Sequence, residues 1–243
     1  MQHYVARMVF PRLTKAMTAP DLPALIFDLD GTLVDTAPDL LGAMNAVLIQ
    51  QGRSTVDPET LRHMVGFGAA SLIRQAMAAT GDPIAEDRLP RLVDDFVVHY
   101  GAHIADASVP FPGVIDTLSM LKAQNVPMGV LTNKPHELAL PLLDALDMSK
   151  FFGAIHGAGR FSYVKPDPRV FHHVVEELAG DPAASALMVG DSTTDAKTAR
   201  AASVPVILLS YGYTPDPVET LGADAVTGDF RDIPALARKL VKI

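Results

Sequence analysis

The chain has 243 residues, 49% hydrophobic and 20% charged, so it can bury a sizeable core as one large domain or as a core with a smaller module. A formal charge of -8 and a pI near 5.4 argue against nucleic acid and anionic membranes as partners, because their phosphates need Lys and Arg. The absence of cysteine excludes disulfides, thiolate nucleophiles and cysteine-held zinc and suits a reducing cytoplasm, and no apolar run approaches the roughly 20 residues that span a bilayer.

Residues 1–20 carry Arg7, Arg12 and Lys15 and no acidic residue. Without a sustained apolar stretch or a cleavage site they read as a flexible N-terminal extension rather than a targeting segment. The first strand signal is Ala24-Leu25-Ile26-Phe27, between Pro23 and Asp28. Helix then follows helix over 38–51, 58–64, 69–80 and 85–105, with turns at Gly52-Arg53-Ser54, Gly66-Phe67-Gly68 and Thr80-Gly81-Asp82-Pro83 and no strand run. This predicts an all-α insertion over 38–108, with junctions near 36–38 and 108–112.

From about residue 111 the two patterns alternate. Helices are expected over 113–125, 136–146, 168–179, 193–202 and 231–241, with Asp167 capping the third and Pro168 at its first position. Strands are expected at 127–131, 154–156, 186–189 and 204–209, with an edge at 223–226. Uninterrupted apolar runs suit parallel strands covered on both faces. The expected fold is α/β, a doubly wound parallel-sheet core over 21–37 and 109–243 with the helical module inserted.

Asp28-Leu29-Asp30-Gly31-Thr32-Leu33 leaves the first strand directly. Strand residues i and i+2 face the same way, so Asp28 and Asp30 can converge on one centre. One carboxylate can then attack while the other moves protons. An Asp-rich turn contains the same residues. Gly190-Asp191-Ser192-Thr193-Thr194-Asp195 follows another strand and opens a helix. There Asp191 and Asp195 can face one hard cation, while Ser192 or Thr193 caps the helix; the two readings are compatible. Leu131-Thr132-Asn133-Lys134 also ends a strand, where Thr132 can donate to a phosphate oxygen or simply finish a polar turn. Lys165, in Lys165-Pro166-Asp167-Pro168, can neutralise phosphate or an attacking carboxylate, or be an ordinary solvated lysine. Their joint placement favours chemistry. Asp28, Thr132 and Asp191 end three different predicted strands, at the sheet edge where open α/β folds bind ligands.

These segments, in this order, resemble the four motifs of the haloacid dehalogenase (HAD) superfamily, over about residues 24–212. The resemblance implies a Mg²⁺-dependent phosphatase in which Asp28 is the nucleophile and forms an aspartyl-phosphate. It implies that Asp30 protonates the leaving group and then activates water. Thr132 and Lys165 would bind phosphate, with Asn133 among the substrate-binding residues. Asp28, the Asp30 backbone carbonyl and Asp191 would hold Mg²⁺, with Asp195 supporting them from behind. The helical insertion becomes a cap.

Asp30 sets the chain apart from dehalogenases and phosphonatases, which lack an aspartate there, and leaves phosphatases and β-phosphoglucomutases. Asp35-Thr36-Ala37-Pro38-Asp39, the stretch 61–73 and Tyr211-Gly212-Tyr213 resemble phosphoglycolate phosphatases. That implies 2-phosphoglycolate as substrate. Gly66, Phe67 and Gly68 would present backbone N–H groups to its carboxylate, or form a hinge between cap helices, and Arg62 or His63 could add charge. Gly159-Arg160-Phe161-Ser162-Tyr163 departs from the resemblance, being bulkier and more basic. A sugar phosphomutase and a phosphatase of another small metabolite are the alternatives. A non-catalytic binding module would need a broken motif, and none of the four is broken. The expected partner is a small phosphate ester in the cytoplasm.

Overall fold

The computed structural model describes residues 22–241, so the extension inferred over 1–20 lies outside the described residues. The chain enters on β1 (Ala24–Phe27), forms the two-residue strand β2 (Val34–Asp35), and runs through four helices. These are α1 (Ala37–Gln50), α2 (Pro58–Arg62), α3 (Ala69–Ala79) and α4 (Leu89–Ala102). It returns along β3 (Val109–Pro110) to α5 (Val114–Ala123), β4 (Met128–Pro135), α6 (His136–Ala145) and β5 (Ala154–Ala158). Next come α7 (Pro168–Ala179), β6 (Ala186–Gly190), α8 (Thr193–Ala202), β7 (Val206–Leu209), β8 (Ala225–Thr227) and α9 (Ile233–Leu240).

Six strands form one sheet in the order β5-β4-β1-β6-β7-β8, and every pair is parallel. Both faces are covered. Leu25, Phe27, Val130, Val189 and Ile207 pack with Leu118, Leu142 and Phe230 in one layer. Ile26, Leu131, Met188 and Leu208 pack with Phe171, Val174 and Ala199 in the other. Alternating side chains of one strand thus enter opposite layers, which is why the sequence shows continuous apolar runs and no period of two. Each fully buried Leu, Ile, Val or Phe contributes about 1.5–3 kcal/mol of transfer free energy.

The helices of the insertion have a cluster of their own, built on Met44, Val47, Leu61, Ile73, Phe96 and Tyr100 and joined by Leu138 and Tyr213 from outside it. The chain leaves and re-enters the sheet domain side by side. β2 and β3 pair antiparallel, Val34 opposite Pro110 and Asp35 opposite Val109. In the first turn of α1, Asp39 accepts from the backbone N–H groups of Ala107 and Ser108 and from Ser108 Oγ. The sequence gives no sign of this ribbon, because two residues per strand carry no period.

Two other elements differ from expectation. β4 runs to Pro135 rather than ending at 131, with a shift of register between Leu131 and Pro135. The helix expected over 85–105 is a short 3₁₀ turn at Glu86–Arg88 followed by α4, which has proline in its first turn.

Candidate active site

β1, β4 and β6 are neighbours in the sheet, so the segments that leave their carboxyl ends meet. After β1 the chain turns tightly, and the N–H groups of Leu33 and Val34 both donate to Leu29 O. Gly31 sits in this turn at φ +84°, and a Cβ there would lie 2.5 Å from Asp191 Oδ2. Only glycine satisfies both the left-handed backbone and that approach. Asp191 is held from two sides. Thr32 Oγ1 donates to Oδ1 at 2.7 Å, and Tyr213 N donates to Oδ2 at 2.8 Å.

Asp195 joins the cap of α8 and also faces a buried lysine. Its Oδ2 accepts from Ser192 Oγ at 2.7 Å and from the N–H groups of Ser192 and Asp191, completing a capping box with Ser192 at the start of α8. Its Oδ1 faces Lys165 Nζ at 2.7 Å. Lys165 Nζ also lies 2.9 Å from Asp28 Oδ1. Asn133 Nδ2 donates to Lys165 O at 3.1 Å, tying the loop that carries this lysine to β4.

Burial dominates the electrostatics. It drives the Asp28 carboxyl up to about 7, against the pull of Lys165, with Asp195 and Asp30 pushing the same way as burial. Burial also raises Asp191 well above the ordinary carboxylate range, helped by Asp195 and Asp28. For Lys165 burial favours the neutral amine, yet Asp195 and Asp28 outweigh it and hold the ammonium above its usual value. One oxygen each of Asp28, Asp191 and Asp195 falls within a 4.8 Å cluster. Asp28 Oδ1 is buried there without a hydrogen bond, the lysine lying outside the directional geometry of one. Three crowded carboxylates, one lysine and an unbonded buried oxygen form a donor set that fits a hard divalent cation such as Mg²⁺. Asp191 and Asp195 both have their two oxygens engaged by the protein, Asp195 by a charged lysine, which leaves Asp28 Oδ1 as the free donor of the three.

Asp30 stands apart from that cluster. Its Oδ1 accepts from Thr36 Oγ1 at 2.7 Å and from Lys134 Nζ at 2.9 Å. Lys134 is buried, reaches Tyr100 OH at 2.8 Å, and lies 4.3 Å from the centre of that ring. Burial pulls the Lys134 ammonium down, and Asp30 and Tyr100 more than restore it. The Tyr100 phenol is pushed up to about 12, chiefly by burial. A lysine at this point was not anticipated. Had β4 been extended to Pro135, the two-residue period would have set residues 132 and 134 on one face.

Between these groups and the inserted helices lies a cavity of about 40 Å³, counted as the space that centres of water molecules can occupy. Asp28, Asp30, Thr132, Asn133 and Lys134 form one wall, and Gly66, Gly68, Leu72, Phe96 and Tyr100 line the other. Gly66 and Gly68 therefore reach the cavity. Phe67, expected with them in the substrate-binding set, does not: it is 48% exposed, between two glycines of positive φ that turn it away. Arg62 and His63 do not line the cavity either. Arg62 pairs with Asp35 at 3.0 Å and lies over the Tyr213 ring, and His63 is exposed. Tyr213 OH donates to Asp35 Oδ1 at 2.6 Å and accepts from the N–H groups of Thr36 and Ala37. The stretches 35–39 and 211–213, singled out separately in the sequence, thus meet at the start of α1.

Comparison with known proteins agrees with this geometry. The chain is 48% identical over 210 residues to the phosphoglycolate phosphatase of Caulobacter vibrioides, covering 86% of this chain and 88% of that one. It is 41% identical over 223 residues to the phosphoglycolate phosphatase of Agrobacterium fabrum, covering 91% and 95%. A predicted phosphoglycolate phosphatase from Haemophilus somnus 129PT has a solved structure that matches with TM-score 0.80 and 28% identity, over 89% of this chain and 98% of that one. CbbY from Rhodobacter sphaeroides, solved in complex with phosphate, shares the fold with TM-score 0.73 at 22% identity, over 87% and 96%. Residues 25–209 match the family model of haloacid dehalogenase-like hydrolases, and with the parallel sheet and the acidic cluster at its carboxyl edge the chain belongs to that family.

Proposed function

We propose that the protein is a Mg²⁺-dependent phosphatase that hydrolyses 2-phosphoglycolate through an aspartyl-phosphate on Asp28. The observation that carries this reading is a buried Asp28 carboxylate, paired with Lys165, on the wall of the cavity between the sheet edge and the inserted helices. The names of the curated relatives support the substrate.

In the first step an Asp28 oxygen bonds to phosphorus as the ester P–O bond breaks, and Asp30 gives its proton to the departing glycolate oxygen. In the second, Asp30 takes a proton from water, the water oxygen bonds to phosphorus, and the acyl phosphate releases inorganic phosphate and restores Asp28. Oδ1 of Asp30 is committed to Thr36 and Lys134, so Oδ2 is the oxygen that carries the proton. Lys165 and Thr132 orient the phosphoryl oxygens, and Lys165 favours the ionised Asp28. A bound Mg²⁺, held by Asp28, Asp191 and the Asp30 carbonyl with Asp195 behind, offsets the repulsion between Asp28 and a dianionic phosphate.

The helices over 38–108 act as the cap on the core formed by 21–37 and 109–243, and the β2–β3 ribbon is the pair of linkers about which it moves. Closure excludes water from the first step. We place the activity in the cytoplasm on the absence of cysteine; among the described residues no helix is long and apolar enough to cross a membrane.

The test is a panel of small phosphate esters. 2-Phosphoglycolate should show the highest kcat/KM, and preference for sugar phosphates, or a requirement for a sugar bisphosphate, would favour a phosphomutase instead. Asp30→Asn should lower kcat by about 10²–10⁴-fold, since the amide neither gives nor takes the proton. A rate within a few-fold of wild type would remove Asp30 from the mechanism.

The Gly66-Phe67-Gly68 turn gives a second prediction. Gly68 has φ +85° and ψ 163°, a region open essentially to glycine alone, and Gly66 has φ +99°. Replacing both by Ala should strain the loop by roughly 1–3 kcal/mol per site and shift the backbone that lines the cavity. The preference for 2-phosphoglycolate over a generic aryl phosphate should fall with it. Undiminished selectivity in the double variant would show that the loop is only a hinge.

A further inference from the structure

We infer that Lys134 determines which ester this site accepts, by binding the carboxylate at the non-reacting end of the substrate. The inference rests on the phosphatase reading above and names a group that the sequence left out.

The cavity has one basic residue in its lining, Lys134. The other buried lysine, Lys165, is taken up by Asp28 and Asp195 at the phosphoryl end. Lys134 lies apart from it, paired with Asp30 and Tyr100, and its side chain is only 3% exposed. An ammonium carries three N–H donors. Asp30 Oδ1 and Tyr100 OH accept two of them, and among the described residues no third acceptor is present. A desolvated ammonium with a spare donor on a cavity is a strong site for a second anion, because charge-assisted bonds gain most where water is excluded.

The rest of the lining decides what kind of anion. Leu40, Leu72, Phe96 and Leu138 supply apolar surface, while Thr132 and Asn133 are polar and share the wall of Asp28. Against the four apolar residues a polyol chain would lose its hydrogen bonds to water, whereas a methylene group next to a carboxylate would not. Gly68 approaches the strand segment that carries this lysine, a Cβ on it lying 3.5 Å from Asn133 O, whereas a Cβ on Gly66 would lie 4.0 Å from Ser192 Cβ.

Lys134 also bonds to Asp30, so replacing it slows every substrate through the proton donor. The diagnostic quantity is therefore a ratio. We would measure kcat/KM for 2-phosphoglycolate and for 2-hydroxyethyl phosphate, in which CH₂OH replaces the carboxylate, on wild type, Lys134→Met and Lys134→Arg. Wild type should favour 2-phosphoglycolate. In Lys134→Met that ratio should fall by about 10–100-fold, chiefly because the carboxylate substrate binds with a higher KM, and Lys134→Arg should retain most of it. If Lys134→Met does not fold, Lys134→Gln, which keeps polar contacts to Asp30 and Tyr100, serves with the same expectation. An unchanged ratio in the uncharged variant overturns the inference and leaves the phosphoglycolate reading standing. No preference in wild type overturns both.

Discussion

Asp28→Asn should abolish turnover on every phosphate ester while leaving a folded protein. An amide nitrogen or oxygen in that place cannot form the acyl phosphate, so the loss is not a matter of degree as it is for Asp30. The folded state has little to lose from the change. The Asp28 carboxyl is buried beside Asp191 and Asp195, its Oδ1 accepts no hydrogen bond, and burial drives it up to about 7. Removing a charge from that cluster relieves like-charge repulsion, so the metal-free variant should melt no lower than the metal-free wild type. Activity and thermal melting together separate the two explanations of an inactive variant. Near-wild-type turnover would sink the nucleophile assignment, whereas a large drop in melting temperature would show that Asp28 is needed for the fold.

The parts of this site that were legible in the sequence are those with local signals. α7 and α8 occupy the expected spans 168–179 and 193–202 because residues at their ends fix them. Asp167 accepts from Arg169 N and Pro168 opens α7, Gly180 in the left-handed region closes it, and Ser192 with Asp195 caps α8. The apolar runs of β1 and β6 were visible because both faces of a parallel sheet are buried. Asp28, Thr132 and Asp191 then followed from where those runs end. What was not legible depends on pairing across the chain. Tyr213 OH meets Asp35 from 178 positions away, and Lys134 meets Asp30 from 104. The Tyr213 contact leaves no period or cap in its own neighbourhood, and the one sign of Lys134 is the strand period of a β4 longer than its apolar run. The exposure of Phe67 was illegible for a related reason, since the backbone signs of its flanking glycines, and not its own chemistry, decide that it faces solvent.

Chelation should silence the enzyme, and Mg²⁺ should restore it. The donors are all oxygen, the chain has no cysteine, and of three buried carboxylates only Asp28 and Asp195 pair with a lysine. Without a cation that cluster is under-neutralised, which predicts a stability effect independent of activity. A ligand that binds only the folded state at 100 times its Kd stabilises by about 2.7 kcal/mol, which for a domain of this size raises Tm by roughly 5–10 °C. Mg²⁺ should therefore raise Tm of the EDTA-treated protein on that scale. Asp191→Asn should lose most of the shift, because Thr32 and Tyr213 already hold this side chain towards Asp28 and an amide is a weaker ligand. Lys197→Ala, on the outer face of α8 and exposed, should keep it in full. Full activity in metal-free buffer, or a Tm shift that survives Asp191→Asn, would mean that the acidic cluster is not the metal site, and that Lys165 alone neutralises Asp28.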